Sequence, residues 1–311
     1  MEATVKKTDA LETDALNSKE RPPATSMEPL TQKSIHFYCI NLKHRTDRWT
    51  AFSQQPAIQE IKRDYVFERF DAVAGSTLDI QNDNRISLRA KRNIKDKMRR
   101  DHEDLNTAGA IGCYLSHVEI WRKVVNNPEP YAVVFEDDAA VPADFLKRLE
   151  FGYKEWTILP GVPDVWTFSN AWPFYYQTKG RPLPQDVPEN RRGYWVLNTG
   201  PGGTGGYLIT KEGAKKLLEN AFPIDIQVDL YICLCSEMKK IRCVSNTQLT
   251  LGSLSEGTKS DIQLPSGCAI CDVPTNLSER GLTLVNVPLV VFGLVAMAGI
   301  AWMSGGSGRR R

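Results

Sequence analysis

The sequence predicts an α/β domain with a mostly parallel sheet flanked by helices. Apolar segments of strand character alternate with segments of helical spacing between residues 35 and 220. Residues 131–136 form a short and nearly continuous apolar run, which is typical of a strand buried on both faces of a parallel sheet. The 311 residues include 41% hydrophobic and 24% charged side chains, a globular balance that excludes a wholly disordered or collagen-like chain.

Each predicted element rests on a local pattern. Runs rich in β-branched and aromatic residues predict strands, which are expected at residues 35–42, 65–73, 131–136, 164–170 and 206–210. Apolar residues at helical spacing predict helices, which are expected at residues 45–52, 106–127 and 211–220. Pro142 is expected in the first turn of another helix, where its missing N–H costs nothing.

The two ends of the chain differ in composition. Residues 1–33 mix charges with Thr, Ser and a Pro-Pro pair, which predicts a disordered tail without a secretory signal. Residues 282–303 contain no charge and are long enough for one transmembrane helix, with a buried core helix as the alternative. We therefore expect a folded domain at 34–265, a linker at 266–281, a membrane span at 282–303 and a basic tail at 304–311.

The expected location is a membrane of the endomembrane system, with a single-pass C-terminal anchor. The sequence does not decide on which side of the membrane the folded domain lies. Three arginines after the span favour a cytoplasmic C-terminus, whereas the lack of a signal sequence favours a cytosolic folded domain. A glycosylation sequon at Asn276 would report the side if it were modified.

The net charge and the cysteine content limit the classes of function that the protein could have. A net charge of +2 argues against nucleic acid as a partner of the whole protein. Residues 85–100 carry eight Lys or Arg and one acid, which suits either an anionic ligand or lipid surface, or a solvated helix face. Seven cysteines without a signal fit free thiols, and whether Cys268 and Cys271 bind metal or form a disulfide stays open.

The most informative cluster is the acidic triplet Glu136, Asp137 and Asp138, at the end of the predicted strand 131–136. Three adjacent carboxylates repel one another, so such a cluster usually needs a cation. Strand ends are also where open α/β sheets bind ligands. A hard divalent cation, Mn²⁺ or Mg²⁺, would suit these oxygen ligands. A solvated turn before a helix is the alternative.

Several motifs in fixed order resemble one family. They are residues 40–42 with Arg45 and Arg48, residues 67–75, 109–121, 131–138 and 206–218, and residues 224–229. Together they resemble glycosyltransferase family 25, which contains bacterial lipopolysaccharide galactosyltransferases and collagen galactosyltransferases. The resemblance implies a GT-A-like, Rossmann-type catalytic domain at 34–265. It also implies inverting transfer of a hexose, galactose above all, from a UDP-sugar to a glycan or glycoprotein acceptor.

The resemblance and the chemistry together suggest site residues. Asp137 and Asp138 would hold the metal. The nucleotide-sugar would contact residues near these strand ends, namely Asn41, Arg45, Arg48, Ser116, His117 and Glu136. For Arg45 and Arg48 the alternative is a surface helix start, and for His117 it is a buried core histidine.

An inverting displacement also needs a base. Asp229 is the first candidate and Asp225 the second, although both could be ordinary acids at a helix start. Asn198 and the glycine-rich residues 200–206 could approach the sugar closely.

The sequence is compatible with three functions. The first is a membrane-anchored, metal-assisted hexosyltransferase, whose partners would be a UDP-sugar donor, a glycan or glycoprotein acceptor and membrane lipid around the C-terminal helix. The second is an inactive family member that serves as a membrane-bound binding or scaffold protein. The third is a membrane-surface adaptor that works through residues 85–100.

Overall fold

The computed structural model describes residues 31, 33–99, 104–156, 159, 163–169, 195–197, 200–246, 248–254 and 262. The expected linker, membrane span and basic tail lie outside the described residues, as does the N-terminal tail apart from residues 31 and 33. Among the helices that are described, none combines the length and the apolar character needed to cross a bilayer.

A seven-stranded mixed sheet forms the centre of the described part. Its strands are β1 (Ile35–Asn41), β2 (Val66–Asp71), β3 (Tyr131–Glu136), β5 (Val165–Thr167), β6 (Trp195–Leu197), β7 (Gly206–Thr210) and β8 (Cys243–Asn246), in the order β2-β1-β3-β7-β5-β8-β6. All but β6 and β7 run in one direction. The predicted α/β class with a mostly parallel sheet is confirmed. A separate two-stranded ribbon pairs β4 (Ala139–Ala140) with β9 (Gly252–Ser253).

The helices are α1 (Thr46–Ser53), α2 (Pro56–Asp64), α3 (Leu88–Asp96), α4 (Ala108–Asn126), α5 (Phe145–Trp156), α6 (Lys211–Glu219) and α7 (Val228–Glu237), with a 3₁₀ turn at Gly75–Thr77. The hydroxyls of Ser87, Thr107 and Thr210 cap α3, α4 and α6 by accepting from backbone N–H groups in the first turn.

The predicted position of Pro142 was wrong. Helix α5 begins at Phe145 and not at Pro142. Pro142 lies in the preceding turn, and its carbonyl accepts a hydrogen bond of 2.9 Å from the Phe145 N–H. Pro142 is therefore the first residue of the turn that leads into α5.

Helices cover both faces of the sheet. Alternate strand residues enter two buried clusters, with Tyr38 and Val134 on the face of α4, α6 and α7, and Phe37 and Phe135 on the face of α1, α2 and α5. This alternation is the period-two pattern of a strand buried on both sides. Helix α4 is buried along most of its length, and its residue His117 contacts Glu136 at the end of β3.

The basic residues 85–100 largely form the inserted helix α3 and its flanks. Arg85 pairs with Asp83 at 2.7 Å, and Arg89 pairs with Asp104 and with Asp225. Part of the positive charge in this segment is therefore neutralised by neighbouring acids.

Helix α4 approaches the loop after β2 very closely. An ideal Cβ on Gly112 would lie 2.3 Å from the carbonyl oxygen of Val73 and 2.9 Å from the amide nitrogen of Gly75. These contacts are to backbone, which cannot rotate aside as a side chain can. The absence of a side chain at residue 112 lets the loop rest on the helix.

Gly112→Ala tests this contact. Helix propensity alone would stabilise the protein by about 1 kcal/mol, whereas the clash should lower the free energy of unfolding by about 1–3 kcal/mol. Urea denaturation measures the difference. In the control, Gly205→Ala, the added Cβ meets no atom within 4 Å, so little change is expected. A stabilised Gly112→Ala protein would show that the close approach is wrong.

Candidate functional site

The acidic triplet lies at the edge of the sheet where β1 and β3 end. The two strands are parallel neighbours, and Ile40 is paired in register with Glu136. The residues that follow them, Asn41 and Asp137, therefore emerge at the same edge. This is the carboxyl end of the parallel strands, where open α/β sheets bind their ligands.

Asp137 is held by groups from the β1 end and from α1. Its carboxylate accepts a hydrogen bond of 2.5 Å from Asn41 Nδ2 and one of 3.1 Å from Arg48 Nη1. Asn41 Oδ1 in turn accepts from Arg69 Nε on β2 at 2.9 Å. Burial raises the pKa of Asp137, although the bonds from Asn41 and Arg48 partly oppose that rise. The side chain is thus fixed in one orientation.

Asp138 has fewer partners than Asp137. Its Oδ2 lies 3.7 Å from Arg48 Nη1, beyond hydrogen-bond distance. Burial, followed by the charge of Glu136, raises the pKa of Asp138 to about 6, against the opposing charge of Arg48. Asp138 is consequently a carboxylate whose negative charge is poorly compensated by the protein itself.

Glu136 belongs to a hydrogen-bonded group from three elements. Its Oε1 contacts His117 Nε2 on α4 at 3.2 Å and accepts a bond of 2.6 Å from Thr204 Oγ1. Its backbone N–H donates to the carbonyl of Gly205 at 3.1 Å. Burial alone would raise the pKa of Glu136, but the hydrogen bonds from His117 and Thr204 lower it overall. Glu136 therefore stays ionised.

The structure separates the two candidate bases. Asp229 lies in the first turn of α7, and burial raises its pKa, with the nearby charge of Glu136 adding to the rise. Asp225 instead contacts Ser87 and lies 3.4 Å from Arg89 Nη1, on the side of α3. Asp229 thus lies near enough to the triplet for the charge of Glu136 to affect its pKa, whereas Asp225 joins the loop before α7 to α3.

Two other predicted residues have mainly internal partners. The Ser116 hydroxyl donates to the Gly112 carbonyl at 2.7 Å and accepts from the Val73 N–H at 2.9 Å. Arg45 pairs with Asp47 at 2.9 Å. Ser116 lines the cleft, but its hydroxyl secures the loop after β2 against α4.

A cleft with a cavity volume of about 80 Å³ lies beside the triplet. Typical ligand pockets measure about 300–1,000 Å³, so the cleft is smaller than a typical ligand pocket. Glu136, Asp137 and Arg48 line its polar end, and small or apolar residues line the remainder, among them Ile40, Ala72, Val73, Gly75 and Gly109. The cleft therefore has a charged end and a largely apolar remainder.

Asp137 and Asp138 are the carboxylates that could hold a hard divalent cation, because an oxygen of each lies within 4 Å of the same atom, Arg48 Nη1. They bring two carboxylates next to Glu136, with one nearby guanidinium, that of Arg48, pairing with them in the described part. Each carboxylate has about four acceptor positions, so Asp137 retains capacity beyond its two bonds.

A second group, Cys113, His117 and Glu136, has potential ligand atoms within 4.8 Å of one another. Burial raises the pKa of the Cys113 thiol well above its usual value. That thiol stays protonated and is a poor metal ligand.

Sequence reasoning gave no role to Arg69, Thr204 or Tyr207. Thr204 lies inside the glycine-rich residues 200–206, which were expected near the sugar, while Asn198 lies outside the described residues. Arg69 lies inside the segment 67–75 that carries the resemblance. No local pattern marked these side chains, because their roles come from contacts between distant segments.

Arg48→Met tests the electrostatics of the cluster in metal-free buffer. Removing the guanidinium leaves the buried Asp137 carboxylate without its cation, so the free energy of unfolding should fall by about 3 kcal/mol at neutral pH. A carboxyl group whose folded-state pKa is raised loses stability as the pH increases through that pKa. The deficit should therefore shrink in acid, where Asp137 is protonated.

The matched control for this prediction is Arg63→Met, because Arg63 pairs with Asp64 on the exposed surface of α2. No measurable change is expected there. Urea denaturation between pH 4 and 8 compares the variants, and an Arg48→Met deficit that does not depend on pH would contradict the account.

Comparison with known proteins supplies an independent result. The family model described as glycosyltransferase family 25 (LPS biosynthesis protein) matches residues 34–232. Procollagen galactosyltransferase 1-A of Xenopus laevis is 32% identical over 60% of this chain and 28% of its own length. A protein of Rattus norvegicus, probable inactive glycosyltransferase 25 family member 3, is 32% identical over 36% of this chain and 18% of its own.

A solved structure of mouse xyloside xylosyltransferase 1 aligns with a TM-score of 0.32 and 10% identity, over 67% of this chain and 83% of that one. A score that low carries no argument. The chain spans less than a third of the length of the Xenopus relative. The family match covers most of the described domain, so the chain belongs to glycosyltransferase family 25.

Proposed function

We propose that this chain transfers galactose from UDP-galactose to a glycan or glycoprotein acceptor, with inversion and with the help of Mn²⁺ or Mg²⁺. The observation that carries the proposal is the acidic cluster at the end of β3, two members of which, Glu136 and Asp137, line a cleft at the carboxyl ends of the parallel strands. The name of the Xenopus relative supports the choice of galactose.

In this proposal Asp137 and Asp138 hold the divalent cation, and Glu136 accepts a hydrogen bond from the ribose. A cation bound there would offset the negative charge that develops on the departing diphosphate. Arg48 keeps Asp137 ionised and oriented, through the bond of 3.1 Å between them. Arg48 thus supports the metal ligands and is close enough to the cleft to contact a phosphate.

Asp229 is the proposed general base. Its pKa is raised by burial and by Glu136, which brings the carboxylate closer to the basicity that removal of a hydroxyl proton requires. Asp229 and the triplet come from different elements, so an acceptor hydroxyl placed between them would face the base and the donor together. The paired role proposed for Asp225 receives no geometric support, because that residue bonds to α3.

A donor screen tests the function directly. The full chain in detergent is supplied with UDP-galactose, UDP-glucose and UDP-N-acetylglucosamine, with and without Mn²⁺, and UDP release is measured. We expect the highest rate with UDP-galactose and a strong loss of rate on chelation of the metal. Equal rates with and without Mn²⁺ would remove the proposed metal role.

Asp138→Asn tests the proposed metal ligand. The substitution keeps the shape of the side chain and removes its charge, so metal-dependent UDP release should fall at least about 100-fold. Asp144→Asn is the control, because Asp144 lies six residues further along and pairs with Arg148 on the surface. Far-ultraviolet circular dichroism should show both variants folded, and normal turnover by Asp138→Asn would contradict the assignment.

An inactive family member is the second candidate. It is favoured by the likeness to a rat relative that is named as probably inactive. This candidate predicts that UDP and Mn²⁺ bind but that no UDP-sugar is consumed with any acceptor. The donor screen therefore decides between the two.

We further propose that residues 282–303 anchor the chain in an endomembrane. These 22 residues carry no charge, which suits a helix through a hydrocarbon core of about 30 Å. The full chain should remain with membranes after alkaline carbonate extraction, and a chain ending at residue 281 should be released. Release of the full chain would contradict the anchor.

A further inference from the structure

A buried hydrogen-bonded chain runs from α4 through β7 to Glu136. His117 and Trp121 are one helical turn apart on α4, so their side chains share a face. Both contact the hydroxyl of Tyr207 on β7, with His117 Nδ1 at 2.9 Å and Trp121 Nε1 at 3.0 Å. His117 and Trp121 are fully buried, and Tyr207 is 1% exposed. The group is therefore shielded from solvent.

The donors and acceptors of this chain fix its direction. The Trp121 indole N–H can only donate, so the Tyr207 oxygen accepts from it. If His117 Nδ1 also donated to that oxygen, the hydroxyl proton would have no acceptor among the described groups. The consistent arrangement has Tyr207 donating to Nδ1, which leaves the imidazole proton on Nε2.

The proton on Nε2 then points at Glu136. Nε2 lies 3.2 Å from Glu136 Oε1, which also accepts from Thr204 Oγ1 at 2.6 Å. The two side-chain donors both act on Oε1. The other oxygen, Oε2, takes no described side-chain bond and belongs to a carboxylate that lines the cleft.

We propose that Tyr207, supported by Trp121, is a positioning residue that holds His117 in its Nε2–H tautomer and so aims Glu136 at the donor nucleotide. The inference rests on the proposed function, since it assumes that Glu136 contacts the donor. His117, in this account, acts through Glu136 and does not itself touch the sugar.

Tyr207→Phe is the test, and Tyr114→Phe is its control. Each substitution removes one buried hydroxyl. Tyr114 lies on α4 and is 2% exposed, and its hydroxyl donates to the Ala221 carbonyl at 3.0 Å, away from Glu136. A merely structural role predicts the same kinetics for both variants. The positioning role predicts that only Tyr207→Phe raises KM for the UDP-sugar, by about tenfold, with kcat nearly unchanged.

A spectroscopic measurement makes the test independent of turnover. In ¹⁵N-histidine spectra of the full chain, the His117 signals are identified by their loss in His117→Gln. Unprotonated Nδ1 and protonated Nε2 are expected in the original protein, and a mixture of tautomers in Tyr207→Phe. A proton on Nδ1 in the original protein, or equal KM values for the two Phe variants, would overturn the proposal.

If no UDP-sugar is consumed at all, the proposed function fails and equilibrium binding of UDP replaces KM. Weaker UDP binding by Tyr207→Phe than by Tyr114→Phe, together with the tautomer change, would still support the positioning role. Equal UDP affinities would overturn it. Failure of the proposed function and failure of the positioning role therefore give different results.

Discussion

The crowding of negative charge at the end of a buried strand is the constraint on which the rest of this site depends. Glu136, Asp137 and Asp138 are consecutive, so their carboxylates cannot move far apart. The fold compensates the three negative charges unequally. Glu136 receives hydrogen bonds, Asp137 is paired with a guanidinium, and Asp138 has little compensation. These unequal interactions leave the residual charge at Asp138, which directly follows Asp137, a residue that lines the cleft.

The fold supplies these partners through pairing and close approach. Parallel pairing of β1 with β3 brings Asn41 to Asp137, and pairing of β1 with β2 brings Arg69 to Asn41. On the face of the sheet that α4 covers, the close contact between Gly112 and Val73 lets the helix lie near enough for His117 to contact Glu136. The glycine-rich segment before β7 adds Thr204. One side chain from each of several segments converges on the strand end.

Much of the fold could be predicted from the sequence, because its signals are local. The apolar run 131–136 predicts strand β3, and the helical spacing of apolar residues within 106–127 predicts helix α4. Neither prediction needs information from distant parts of the chain. The antiparallel direction of β7 has no such local signal, because it depends on the route that the chain takes between β5 and β7. Within the site, the triplet was visible as a charge cluster. The roles of Arg69, Thr204 and Tyr207 were not, because each depends on a contact across 28 or more residues. Asp225 and Asp229 look alike in sequence, and only packing separates them.

The most direct measurement of the central claim is equilibrium binding of Mn²⁺, followed by the loss of the free-ion electron paramagnetic resonance signal, with and without UDP. The account predicts one ion per chain, bound weakly alone and much more tightly with UDP, because diphosphate oxygens would complete the ligands that the carboxylates begin. Mn²⁺ affinity that is unchanged by UDP, or an absence of saturable binding, would contradict the claim that this cluster grips a cation against a nucleotide.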